Sequence, residues 1–386
     1  MYRIPISKRV NFLERVERLG FHHHTMDGYA YWDESAFYQF SGAEIETGIV
    51  QPGNEIEAIC LEFSSSACNY EEMLSSHAIP KHAWGIIAES WREREPALLG
   101  RLDFAFDVAG PAKLLEYNAD TPGCLFETAV FQKSWLEDCI EAGNLPGAAR
   151  QCANLHEALV QRLGTIEIDN VLHLANLSDS LEDRAIVDFV ETCARQAGHE
   201  TFKMTIEDIG LNDQGQFTDA REVLIEWMFK AYPWEWMFAD EFGTSPALRS
   251  TRWIEPAWKS VLSNKAMLVH LWRMEEGHPN LLPVCFEDDP NRMEIGGSFV
   301  KKPIYSREGA NILMIDNDQI IGRTGGDYGG EGFIRQGLAH LPQFDGNYPV
   351  LGCWLVDGTV CGLSLREDRK LITSDDSRYL PHAIID

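Results

Sequence analysis

A chain of 386 residues that is 45% apolar and carries 11 Trp and 19 Phe can bury a sizeable core, which excludes disorder over most of its length. Sixty acidic against 33 basic residues leave a formal charge of −27, which argues against nucleic acid or anionic membrane as a partner and weakly favours a cationic co-substrate. The 9 cysteines form no Cys-x-x-Cys pair, Met1 to Gly20 has no apolar core, and no apolar run reaches the roughly 18 residues of a membrane span; reduced thiols, no structural zinc and a cytoplasmic location are expected.

In chain order, the first part reads as helices around one hairpin. His22-His23-His24 point in different directions and are given no metal role. Arg101 to Asp107 and Ala112 to Asn118 flank the turn Val108-Ala-Gly-Pro111. If Asp107 pairs with Ala112, Asp103 falls opposite Glu116 and Arg101 opposite Asn118, all on one face, with Leu102, Phe104, Leu115 and Tyr117 on the other. A helix over Ser134 to Ala142 ends at Gly143. Strands at Asn170 to Leu177 and Glu200 to Ile206 then flank a helix from Leu181 to Ala197, an α/β unit placed at 161–260, in which Tyr232 to Trp236 is read as core packing. Beyond it, strands at Ser298 to Ile304, Ala310 to Ile315 and Phe333 to Gln336, with a hairpin at Asp357-Gly358, predict an antiparallel sheet. In that hairpin Val356 pairs with Thr359, so Cys353 opposes Gly362, Trp354 opposes Cys361, and the two cysteines lie on opposite faces.

Juxtaposed carboxylates repel unless a cation sits between them, and the oxygens of Asp103, Glu116 and Asn118 suit Mg²⁺, with Arg101 beside them for a phosphate. A solvated outer face with an Arg to carboxylate pair explains the same alternation. Lys302, ending a strand before the loop Tyr305 to Ala310, could neutralise phosphates cradled by loop N–H groups, or could belong to an ordinary edge strand. Gly325 to Gly332 reads as a mobile lid or a plain flexible loop, Arg366 as a phosphate ligand or a surface strand end, and Lys265, after a Ser263 N-cap, as a solvated helix residue. No P-loop, Rossmann or nucleophile-elbow motif occurs after a strand.

Taken in order, Arg101-x-Asp103, Leu115-Glu-Tyr-Asn-Ala-Asp120-Thr-Pro, Glu255-Pro-Ala-Trp258, Asn264-Lys265-Ala, Lys302-Pro-Ile, Ser306-Arg-Glu-Gly309-Ala-Asn-Ile312 and Leu365-Arg366-Glu-Asp368 are similar to the synthetase domain of glutathionylspermidine synthases and trypanothione synthetases. The match spans nearly the whole chain and is nearest the short acid–amine ligase branch, which shares Asp208-Ile-Gly-Leu and Gly215-Gln-Phe-Thr-Asp219; the amidase half of the bifunctional members has no counterpart. The resemblance implies an α+β, ATP-grasp fold in circularly permuted order. Residues 1–160 would hold the metal hairpin, 161–260 an inserted α/β, pre-ATP-grasp-like substrate subdomain, and 261–386 the lid and nucleotide-binding part.

It further implies an ATP-dependent acid–amine ligase that forms an amide through an acyl phosphate, with ATP and two Mg²⁺ ions. Asp103, Glu116 and Asn118 match metal ligands, and Arg101 and Arg366 match arginines on the transferring phosphate. Lys265, Lys302, Arg307, Gly309 and Gln336 match nucleotide contacts; Thr121, Glu182 and Asp183 match substrate contacts. The partners would be an acid, glutathione-like or another peptide or carboxylate, and an amine. Two other readings are an inactive nucleotide-binding interaction protein and a phosphotransferase that releases phosphorylated product. Where the family has two serines on glutathione, Asn118-Ala-Asp-Thr121-Pro-Gly-Cys124 keeps one hydroxyl. Arg378 stands where a carboxylate helps hold the polyamine, so a small primary amine is expected in place of spermidine, with Glu182, Asp183, Asp375 and Asp376 as offsetting charges.

Overall fold

The computed structural model describes residues 1–26, 28–374 and 376–386. Its spine is a five-stranded antiparallel sheet in the order Arg378–Leu380, Thr359–Asp368, Tyr348–Val356, Leu99–Ala105, Lys113–Asn118. The strand Leu99–Ala105 is buried along its whole length because both sheet faces are covered. Leu102 and Phe104 join one core with Ile56 and Phe63 of the helix Gln51–Ala67. Leu99 and Trp354 join another with Phe131, Trp135 and Leu159. That helix packs close because residue 53 is glycine: a Cβ there would lie 2.7 Å from Val360 Cγ2 and 2.8 Å from Cys353 Sγ. Arg101 and Asp103 are therefore buried, at 7% and 5% exposure, and the solvated-face alternative for this hairpin is overturned.

The register at the site is the expected one, Arg101↔Asn118, Leu102↔Tyr117 and Asp103↔Glu116. Towards the turn the ladder shifts to Phe104↔Leu114 and Ala105↔Lys113, leaving Leu115 as a bulge, and Asp107 does not pair with Ala112. The last hairpin behaves alike. Val356↔Thr359 and Leu355↔Val360 hold, but Cys361 is bulged, so Trp354 opposes Gly362 and Cys353 opposes Leu363. Its turn forms as the Asp357-Gly358 pair requires, both residues lying at positive φ. All nine cysteines are free thiols.

The α/β unit is a four-stranded parallel sheet, Arg252–Ile254, Trp227–Ala231, Leu172–Asn176, Thr201–Thr205. Its helix Leu181–Gln196 starts at Ser180, whose hydroxyl accepts from the Asp183 N–H. The last third supplies a second five-stranded antiparallel sheet, Val284–Phe286, Phe333–Gly337, Phe299–Pro303, Leu313–Asp316, Gln319–Arg323. Tyr2–Pro5, Ala36–Phe40 and His382–Ile384 bring the two ends of the chain together in a three-stranded sheet. Among the described residues no helix is long and apolar enough to cross a membrane.

One buried ion pair joins the spine to the parallel sheet. Lys230 sits in the otherwise apolar strand Trp227–Ala231 and donates at 2.6 Å to Asp120, just past the site hairpin. Asp120 also accepts from the Trp234 N–H at 2.7 Å, and Lys230 from its other side reaches the Tyr232 carbonyl at 2.8 Å. Burial pulls the lysine's pKa below its usual value while Asp120 partly restores it. Removing one partner strands a charge, so Asp120→Asn or Lys230→Met alone should each cost about 3–5 kcal/mol in urea unfolding, with the double variant losing less than the sum. Singles that unfold like wild type would show that the pair does not hold this joint.

Candidate active site

A cleft of about 430 Å³ is lined from the spine, the α/β unit and the region of the second antiparallel sheet. The spine contributes Arg101, Glu116, Asn118 and Arg366; the helices that follow strands of the parallel sheet contribute Glu182 and Asp183 from Leu181–Gln196 and Glu235 and Trp236 from Trp234–Ala239; the second antiparallel sheet contributes Arg307 from the loop after Phe299–Pro303. Arg101 holds Asp103 in a two-point ion pair, Nε to Oδ1 at 2.6 Å and a terminal nitrogen to Oδ2 at 2.9 Å. Its other nitrogen donates to the Gly123 carbonyl at 2.8 Å. The pairing needs glycine at 352, where a Cβ would come within 2.7 Å of Arg101 Cδ. Asn118 Nδ2 donates to Asp103 Oδ2 at 3.1 Å.

Glu116 is salt-bridged to Lys265 at 3.0 Å. Burial works to raise its pKa, but Lys265, Lys302 and Arg101 outweigh burial and hold it at about 2. Lys265 also donates to the Ser306 carbonyl at 2.8 Å and is buried, not solvated. The expected Ser263 cap is absent: Asn264 Oδ1 accepts the Ala266 N–H instead, and Ser263 Oγ has no partner. Lys302 donates to the carbonyl of bulged Leu115 at 2.9 Å and to Gln336 Oε1 at 2.8 Å, while Gln336 Nε2 donates to the Leu114 carbonyl at 3.0 Å. Burial lowers the Lys302 pKa to about 8, with Glu116 and Asp103 opposing that shift and Lys265 adding to it.

Of the residues expected at a site, Arg101, Glu116, Asn118, Thr121, Glu182, Asp183, Lys265, Arg307 and Arg366 line the cleft; Asp103, Lys302, Gly309 and Gln336 are not among its lining residues. Arg307 donates to Thr121 Oγ1 at 3.2 Å, pairs with Glu235 at 3.6 Å and stacks over Trp236. Glu182 accepts the Cys124 N–H at 3.0 Å. Burial raises the pKa values of Glu182, Asp183 and Glu235. The segment Gly325 to Gly332 is tied at both ends, Asn311 N–H to the Gly325 carbonyl at 2.8 Å and Ile304 N–H to the Gly332 carbonyl at 3.0 Å.

Arg378 is a correction. Its strand neighbour Tyr379 lines the cleft, so alternation turns Arg378 away, where it binds Asp33 at 2.8 Å, Glu367 at 2.7 Å and Asn347 at 2.7 Å. Its charge is neutralised off the cleft and supplies no repulsion of a polyamine. Asp376 does not line the cleft, and Asp375 lies outside the described residues. Sequence reasoning missed Tyr31, Glu235, Trp236 and Tyr379. The Tyr232 to Trp236 run proves divided: Trp234 is core, whereas Glu235 and Trp236 face the cleft. Among the described residues no three His, Cys, Asp or Glu side chains are placed to hold a metal ion; the hairpin offers two carboxylates and one amide. His23 instead pairs with Glu127 at 2.7 Å.

The architecture is similar over the whole of both chains to a glutathione synthetase-like effector from Globodera pallida, with a TM-score of 0.59 at 13% identity, so the fold is of glutathione-synthetase-like type. Residues 3–385 match the family model described as "Glutathionylspermidine synthase preATP-grasp", and the chain belongs to that family. It is 35% identical to a Haemophilus influenzae protein named "Putative acid--amine ligase", over 98% of each chain. It is 26% identical to the bifunctional glutathionylspermidine synthetase/amidase of Escherichia coli K12, over 88% of this chain and 58% of that protein. It is 25% identical to the trypanothione synthetase of Crithidia fasciculata, over 85% of this chain and 53% of that protein. The chain thus spans a little over half the length of the last two relatives.

Glu116 supports the charge on Lys302, so Glu116→Gln should move the Lys302 pKa below about 8, read by NMR titration of labelled lysine side chains. Between that value and the ordinary lysine pKa the unfolded chain binds the extra proton. This group's contribution to stability therefore rises with pH across the window. A Lys302 titration unmoved by the substitution would uncouple the two groups.

Proposed function

We propose that the chain is an ATP-dependent acid–amine ligase that forms an amide through an acyl phosphate. What carries the reading is the meeting of Arg101, Arg366, Glu116 and Asn118 of the central sheet with Lys265 at the start of the helix Ala266–Met274 and Arg307 of the loop after Phe299–Pro303 in one cleft, a gathering of cations and oxygen donors in a protein whose overall charge is −27. A carboxylate is a poor electrophile. Its oxygen attacks the γ-phosphorus of ATP, ADP leaves, and a neutral amine then attacks the carbonyl carbon and expels phosphate. Arg101 and Arg366 neutralise the moving phosphoryl group.

Lys265, Lys302, Arg307, Gly309 and Gln336 form the nucleotide side, and Thr121, Glu182 and Asp183 the substrate side. The all-oxygen set of Asp103, Glu116 and Asn118 suits Mg²⁺, and two such ions would neutralise the ATP phosphates. For Asn118 to join that set its amide must turn to present oxygen, since its nitrogen now faces Asp103. In this reading the fold is an ATP-grasp in permuted order, because the metal hairpin at 101–118 precedes the lysines at 265 and 302. The amine enters beside Glu182, Asp183 and Glu235, whose raised pKa values suit them to accept its proton before attack. With Arg378 turned away, these carboxylates favour a cationic amine, and a polyamine is not disfavoured.

The test is ADP release measured over a matrix of acids and amines, with mass spectrometry of the product. An amide is expected; a phosphorylated acid as final product would favour a phosphotransferase, and no substrate-dependent ADP would favour a binding protein. Glu116→Ala should abolish turnover with the fold intact. Lys302→Ala should cost about 2–4 kcal/mol in kcat/KM, whereas Lys301→Ala should cost little, because Lys301 pairs with Glu287 at 3.5 Å on the other face. Equal losses from the two lysine variants would refute the assignment.

A further inference from the structure

A second cavity, of about 640 Å³, lies between the helices Phe12–Leu19, Gln132–Glu141, Leu155–Leu163 and Leu181–Gln196, and shares no lining residue with the cleft. Its size is that of a small-molecule site. Leu19, Phe126, Ala129, Val130, Ala185 and Phe189 make an apolar floor. In its wall stands His23, only 3% exposed, whose Nε2 is engaged by Glu127 and whose Nδ1 has no partner.

The rim carries charge of both signs. Lys133 is paired with Glu157 at 3.3 Å, Asp188 with Lys203 at 2.5 Å, and His156 with Gln196 at 2.8 Å. Among the described residues, Arg18 and Arg184 enter no ion pair, and the one rim carboxylate left to face them, Glu137, enters none either. The two guanidiniums thus stand beside an apolar hollow with no carboxylate of the described residues bound to them. A guanidinium prefers a two-point carboxylate partner, and the floor beneath adds area that a small hydrophilic anion cannot use.

We propose that this cavity binds a small amphipathic carboxylate, with its apolar body on the Phe126 and Phe189 floor and its carboxylate at Arg18 and Arg184. The ligand approaches the outer side of the wall whose inner side lines the cleft: Leu181 faces this cavity and the next residue, Glu182, faces the cleft. The proposal stands independently of the ligase reading.

Octanoate is the probe, with octylamine and acetate as controls, in titration calorimetry on the full chain near neutral pH. Octanoate is expected to bind with Kd below about 1 mM, octylamine and acetate at least about tenfold more weakly. Arg18→Glu and Arg184→Glu, both at exposed positions, should each weaken octanoate about tenfold, and saturating ATP should leave its affinity unchanged. Octylamine binding as tightly as octanoate, charge reversals without effect, displacement by ATP, or no octanoate binding below about 1 mM would each overturn the proposal.

Discussion

An edge strand normally leaves a row of carbonyls without partners, and the site is built on how this chain fills that row. Lys113–Asn118 ends the central sheet, and among the described residues no further strand pairs with it. Instead Lys302 and Gln336 of the second antiparallel sheet reach its Leu115 and Leu114 carbonyls, and Asn280 closes the ladder at Ala112 with a 2.8 Å hydrogen bond. The bulge at Leu115 matters because it turns that carbonyl out of the ladder and towards Lys302. The same docking brings Lys265 onto Glu116. Side chains therefore supply much of the contact between the two sheets, and Lys302, Gln336 and Lys265 among them are proposed to handle nucleotide.

This coupling makes the site electrostatically tense. Lys302 is buried with a pKa of about 8, and Glu116 is the carboxylate that keeps its ammonium charged. Asp103 is committed to Arg101, and Glu116 to Lys265. On the proposed reading, ligand binding would be an exchange of these partners: Arg101 and Lys265 would hold phosphate oxygens, and Asp103 and Glu116 would be the carboxylates that hold Mg²⁺. The exchange conserves charge pairing in a low-dielectric cleft, where an unpaired charge is costly.

Much of this was legible in the sequence because alternation is a local property. The Arg101, Asp103, Glu116 and Asn118 face followed from a period of two, and the register there held. The bulges at Leu115 and Cys361 did not follow, since a bulge is fixed by what reaches the extra residue from elsewhere in the chain. Arg378 was not legible, because what turns it away is strand alternation together with Glu367 on the neighbouring strand and Asp33 from near the start of the chain. Ser263 has the right chemistry for a cap, yet Asn264 is the side chain that reaches the helix start. Lys230 carried a readable signal: a lysine within a run of buried apolar strand residues demands a buried acid, and only the fold identifies it as Asp120.

The central claim, that the acid is activated as an acyl phosphate, is tested most directly by following oxygen. With the acid–amine pair that supports turnover, an acid labelled with oxygen-18 in its carboxylate should deliver one labelled oxygen to the released inorganic phosphate, read by phosphorus NMR or mass spectrometry. The acid's attacking oxygen becomes the bridge to phosphorus and leaves with it when the amine attacks. Phosphate free of label, alongside normal amide formation, would contradict the account.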